Sequence, residues 1–187
     1  MMKKKMLKRF KNTLMENDKV ENFKKLLVDK GLTIVCAESM TAGLLASTIA
    51  SVDGASSVLI GSIVTYDPKF KIAILDVDPK TIETHTAESM QTTIEMTNGL
   101  KKLYPIASIF VSITGVASLP KDDSGYKIDV KNELGQIYVS ISYNDKMFEK
   151  SIVLNGGERN VIREQAVEYI LDSIMEIVNS LESKYEN

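Results

Sequence analysis

The sequence predicts an α/β fold, a three-layer α/β/α sandwich around a mixed sheet in a single domain, on three observations. Short apolar, β-branched runs alternate with helix-like segments through the first two thirds of the chain. Residues 106–113 are apolar with only Ser108 and Ser112 interrupting, as expected of a strand covered by helices on both sheet faces. Two alternating runs then flank Asn144-Asp145, which adds an antiparallel hairpin to the sheet.

The elements follow in order. Val20, Phe23, Leu26 and Leu27 recur at helical spacing over 20–28, and Gly31 stops that helix. Residues 32–36 form a short buried strand ending in Ala37-Glu38-Ser39-Met40-Thr41-Ala42-Gly43. A helix over 44–50 follows, with its N-terminus at Ser39 to Thr41 because hydroxyl side chains cap well. Beyond Asp53-Gly54, residues 58–66 read as a second strand with a bulge at Gly61. Asp67-Pro68 opens a helix over 69–75, Asp at the N-cap and Pro at the first helical position. Another helix starts at 86–89, with His85 in the loop before it, and ends near Lys102 ahead of Pro105.

Residues 115–134 are the one long irregular stretch, and loops of that length are usually functional or mobile. Its Asp122, Asp123 and Asp129 read as solvated carboxylates rather than a divalent site. The hairpin strands span 137–143 and 147–154. A closing helix from Glu158 carries Val161, Ile162, Ala166, Tyr169, Ile170, Ile174, Ile177, Val178 and Leu181 as a stripe of period 3.6.

Composition removes several classes of function. With 187 residues, 44% hydrophobic and 26% charged, disordered and collagen-like chains are excluded. One cysteine, Cys36, allows no internal disulfide and reads as a small buried hydrophobe. With His85 as the only histidine, no thiolate or imidazole metal centre and no cofactor are expected, and the compartment is reducing and cytoplasmic. Lys3, Lys4, Lys5, Lys8, Arg9 and Lys11 form a basic N-terminal extension over 1–18, set apart from the domain over 19–187. Taking those six from 23 basic residues leaves 17 against 25 acidic ones. So acidic a body disfavours nucleic acid as a partner, and the extension reads as a solvated terminus. No secretory signal and no membrane span is expected.

In open α/β sheets, ligands gather where strand carboxyl ends meet helix N-termini. Residues 38–43 occupy such a junction without the glycine and lysine spacing of a P-loop. Spacing alone leaves two readings of Ser39, a helix cap or a nucleophile beside oxyanion-holding amides. A nucleophile needs a base, which His85 or a desolvated lysine could supply. Lys71, five residues beyond Tyr66, lies at a second strand-to-helix junction.

Ala37-Glu38-Ser39-Met40-Thr41-Ala42-Gly43, then Val64-Thr65-Tyr66 with Lys71, Ile113-Thr114-Gly115, Gly135, and Gly157-Glu158-Arg159 with Arg163 make an ordered series. The series resembles the C-terminal domain of the CinA (competence/damage-inducible protein A) family, including its stand-alone nicotinamide mononucleotide amidohydrolases, from about residue 20 to 181. The resemblance implies a metal-independent hydrolase that converts nicotinamide mononucleotide to nicotinate mononucleotide and ammonia. It implies Ser39 as nucleophile with Tyr66 and Lys71 as activating partners. Glu38, Thr41, Ala42 and Gly43 would shape the ligand loop, Thr114 and Gly115 the opposite wall, and Arg159 or Arg163 would meet the phosphate. A homo-oligomer is also implied. Ala42 stands where many members have glycine, Met40 where many have cysteine, and Val116 to Pro120 replace a glycine-rich loop. The alternative is a noncatalytic nucleotide-binding module, or a competence or DNA-damage regulator, of the same fold.

Overall fold

Period-two alternation along the strands divides their side chains between two cores, one on each face of a five-stranded sheet. The computed structural model describes residues 18–119 and 133–182. Within them α1 (18–29) leads into β1 (Ile34–Glu38), α2 (Leu44–Ile49), a 3-10 turn (Ala55–Ser57), β2 (Leu59–Val64) and α3 (Pro68–Leu75). Then come α4 (Pro79–His85), α5 (Met90–Leu103), β3 (Ile109–Gly115), β4 (Gln136–Tyr143), β5 (Lys146–Val153) and α6 (Arg159–Glu182). The strand order is β2-β1-β3-β4-β5, with β1 parallel to both neighbours and β3, β4 and β5 antiparallel in turn. This is the mixed α/β sheet the sequence predicts.

The larger core joins Cys36 of β1, Val111 of β3 and Val139 of β4 to Phe23 of α1, Leu45 of α2 and Ile170 of α6. On the opposite face Val35, Ala37 and Phe110 meet Leu75 of α3 and Met96 and Leu100 of α5. That second face is partly polar, because Ser112, Thr114, Ser140 and Ser142 are also buried. Thr93 and Thr97 of α5 supply the matching hydroxyls, and Thr93 Oγ1 lies 2.8 Å from Thr114 Oγ1. At Gly99 α5 passes so close to α3 that a Cβ would collide with the Leu75 carbonyl.

Several elements differ from expectation. The helix α4 is one the apolar pattern does not announce, since none of its side chains is buried. Its start nevertheless repeats the signal at 67–68: Asp78 accepts from the Lys80 amide at 2.9 Å, and Pro79 takes the first helical position. His85 is therefore the last residue of a helix rather than part of a loop. The strand expected over 106–113 begins at Ile109, with Ile106 83% exposed, and continues to Gly115 because Thr114 and Gly115 pair with Tyr138 and Ile137. The bulge falls at Ile60, between the Ile34–Leu59 and Val35–Gly61 pairs. The six basic residues of the extension, Pro120 and the three loop aspartates lie outside the described residues. Among the described residues no helix is long and apolar enough to cross a membrane.

Candidate active site

The first functional segment is set by β1, flanked by β2 and β3. As the chain leaves that strand, the Ser39 amide donates to Ile113 O at 3.1 Å, which ties the turn to β3. Ala42 at φ 49 and Gly43 at φ 91 then adopt left-handed conformations, and α2 starts at Leu44. The cap position is Gly43, with no capping side chain of its own, so neither Ser39 nor Thr41 is the N-cap. The reason is Glu38. One of its carboxylate oxygens accepts from the amides of Gly43 (2.9 Å) and Leu45 (3.0 Å). The other accepts from the Ala46 amide (3.0 Å) and from Ser62 Oγ of β2 (2.9 Å). A fully buried acid thus satisfies the helix start from the preceding strand and leaves the Ser39 hydroxyl free of capping duty.

The second segment is α3. Asp67 caps it in the ordinary way, accepting from the Lys69 amide at 2.7 Å, and Pro68 fixes the first turn. That turn carries Lys71 inward, where it is fully buried with Nζ 2.8 Å from Ser39 Oγ and 2.5 Å from Thr65 O. Burial pushes the Lys71 amine down from 10.5 to about 8, and the negative charges of Glu88 and Asp67 offset part of that fall. A neutral amine has two N–H donors and one lone pair. With one N–H given to the Thr65 carbonyl, the lone pair is available to the Ser39 O–H. The pair has the elements of a nucleophile and its base.

Other residues take up separate positions. The Tyr66 hydroxyl meets an Arg159 nitrogen at 2.5 Å rather than Ser39 or Lys71, and the other terminal nitrogen of Arg159 donates to Ser118 Oγ at 2.7 Å. Arg159 therefore links the β2–α3 connection to the segment after β3. Arg163 donates to Thr41 O at 2.6 Å and to Asn160 Oδ1 at 3.2 Å, bracing the Ser39 turn. Neither arginine forms an ion pair among the described residues. Thr114 is buried and turned toward α5. Gly115 permits a close approach, since a Cβ there would lie 2.5 Å from Gln136 O and 2.8 Å from Met40 Sδ.

The hydroxyls of Thr41 and Thr65 are buried beside the pair with no partner among the described residues. Thr65 and Glu88 escape the sequence reading: the first acts through a backbone carbonyl, and the second is an acid in the interior that no spacing rule marks. Burial pushes the Cys36 thiol well above its usual range, which leaves it unreactive.

Residues 16–178 match the family described as the CinA C-terminal domain. A relative from Alkaliphilus oremlandii with a competence-damage inducible name is 38% identical over 156 residues, covering 83% of this chain and 36% of the relative. A CinA-like protein of Petrotoga mobilis is 35% identical over 153 residues, covering 82% and 36%. The chain spans about a third of the length of these relatives. A solved competence/damage inducible protein, CihA, from Agrobacterium tumefaciens superposes with a TM-score of 0.76 at 24% identity, covering 88% of this chain and 95% of that one. A CinA superfamily protein from Klebsiella pneumoniae gives 0.78 at 21%, covering 88% and 98%. These structural likenesses establish the fold.

Proposed function

The chain belongs to the CinA C-terminal domain family, and from that membership we propose that it hydrolyses nicotinamide mononucleotide to nicotinate mononucleotide and ammonia. The observation that carries the reading is the 2.8 Å contact between buried Lys71 Nζ and Ser39 Oγ. An amine at about 8 is a competent base near neutral pH.

Neutral Lys71 takes the Ser39 proton as Oγ bonds to the carboxamide carbon and the carbonyl π pair moves onto oxygen. The amides of Met40 and Thr41, next to the nucleophile and donating to nothing among the described residues, receive that oxyanion. The α2 amides are unsuited to this role, because Glu38 holds them. The Lys71 ammonium then returns its proton to the amide nitrogen, the C–N bond breaks with its electron pair going to nitrogen, and ammonia leaves an acyl-Ser39. Water, deprotonated by Lys71, adds to the acyl carbon, and Ser39 departs reprotonated. Arg159, held on two neutral hydroxyls, offers its guanidinium to the phosphate. Tyr66 contributes by holding Arg159. The scheme uses no metal or cofactor and suits the cytoplasm.

Ammonia release from nicotinamide mononucleotide by the purified protein tests this reading. Ser39→Ala should lower turnover by about 10³-fold or more while a ligand-induced thermal shift persists. Unchanged turnover in that variant would overturn it. The burial of Ser39, 5% exposed, favours the second reading, a nucleotide-binding module, which a thermal shift without ammonia release in the wild type would select.

A further inference from the structure

The turn that carries Ser39 is held from α6 by a cation. Arg163, half-buried near the start of that helix, donates from Nη2 to Thr41 O at 2.6 Å. Its Nη1 donates to Asn160 Oδ1 at 3.2 Å, which steers the guanidinium fork. The Arg163 Nε is buried with no partner among the described residues. A buried donor left unsatisfied costs stability, and the bond to the Thr41 carbonyl is what this placement gains. Arg159, one helical turn earlier, is held on the side-chain hydroxyls of Tyr66 and Ser118 instead.

The Arg163 contact continues through the backbone. Thr41 O belongs to the peptide unit whose N–H is that of Ala42, and the Ala42 amide donates to Ser39 O at 3.1 Å. Ser39 O belongs to the unit whose N–H is that of Met40, which donates to nothing among the described residues. A cation at the Thr41 carbonyl draws electron density through the first unit and makes the Ala42 N–H a stronger donor. The Ala42 bond does the same to the second unit, so the Met40 N–H is strengthened in turn.

We propose that Arg163 is a positioning residue for the oxyanion. It fixes the turn from Ser39 to Ala42 and polarises the Met40 amide through two peptide units joined by one hydrogen bond. No bond to Arg163 is made or broken as the carbonyl π pair moves onto oxygen, and Arg159 is left to meet the phosphate. The catalytic consequence rests on the deamidase reading; the backbone relay does not.

The relay is read without substrate, by carbon-13 and nitrogen-15 NMR of the backbone. In Arg163→Gln the Thr41 carbonyl carbon and the Ala42 nitrogen should move upfield, and the Ser39 carbonyl carbon and the Met40 nitrogen should follow in the same sense by less. Arg163→Lys keeps a cation within reach of Thr41 O and should give shifts of the same sign and smaller size. That variant serves alone if Arg163→Gln does not fold. A turn merely loosened would scatter the four signals in direction. Such scatter, or Ser39 and Met40 signals that do not move, overturns the proposal.

With nicotinamide mononucleotide, Arg163→Gln should lower kcat about tenfold or more with KM within about twofold, and Arg163→Lys should recover part of the loss. Arg159→Gln should raise KM instead. A raised KM with unchanged kcat in Arg163→Gln would put that arginine on the substrate and overturn its assignment to the turn. If the wild type releases no ammonia while the four signals move together, the deamidase reading fails and the relay stands.

Discussion

The two strand-to-helix junctions that meet at the site solve the same electrostatic problem in opposite ways. At β2–α3 an exposed Asp67 caps the helix from the N-cap position, beside Pro68. At β1–α2 the acid is moved back into the strand, buried, and given four donors, while Gly43 stands at the cap with nothing to offer. The first arrangement is local and replaceable. The second is a tertiary network joining β1, α2 and β2, and it leaves a serine hydroxyl between strand and helix with no structural employment. Freeing a serine hydroxyl at a helix start requires that some other group meet the helix amides, and Glu38 does so.

The largest expected effect is on Glu38. Glu38→Gln puts an NH2 group against amide donors and should cost about 3 kcal/mol or more in urea unfolding, since several buried donors lose a charged acceptor. A cost no greater than that of removing Asp67 would break the contrast between the junctions.

Lys71 comes next. Between about pH 8 and 10.5 the unfolded chain carries a proton on this amine that the native protein does not. Native stability therefore rises with pH across that window, by up to about 3 kcal/mol from this group, and the penalty is fully present below pH 8. Lys71→Met lacks that penalty. Urea unfolding at both ends of the window should show the wild type gaining on the variant by that amount, and a constant difference would contradict the burial of a neutral amine.

Asp67→Ala should cost about 1 kcal/mol, the ordinary value of an exposed cap, by thermal or urea unfolding. The smallest effect is at Ala42, whose φ of 49 is left-handed. Ala42→Gly should stabilise the fold by less than about 1 kcal/mol, as relief of the turn is partly offset by a looser unfolded chain. Destabilisation there would mean that the methyl group makes a packing contribution larger than the strain.

The contrast also explains what could be read in the sequence. Asp67-Pro68 is a local signal, so α3 and the inward reach of Lys71 are legible without coordinates. Asp78-Pro79 carries the same signal, yet α4 is obscured because it buries no side chain and thus shows no apolar stripe. Glu38 cannot be assigned this way. Its role depends on an amide eight residues on and a serine 24 residues away, and the nearby hydroxyls of Ser39 and Thr41 give the usual cap signature. Tyr66 is placed at the right junction by sequence, but its partner Arg159 lies 93 residues further along the chain, a distance over which residue spacing says nothing.

Gly99 shows how far such dependence extends. A side chain there would push α5 off the last turn of α3, and Lys71 sits one turn upstream of Leu75 on that helix. In a comprehensive substitution screen scored by the proposed ammonia release, Gly99 would be as intolerant as Ser39. Intolerance at this position would record the placement of Lys71 one helical turn away, and a map of sensitive positions would draw the candidate site larger than the Ser39–Lys71 pair.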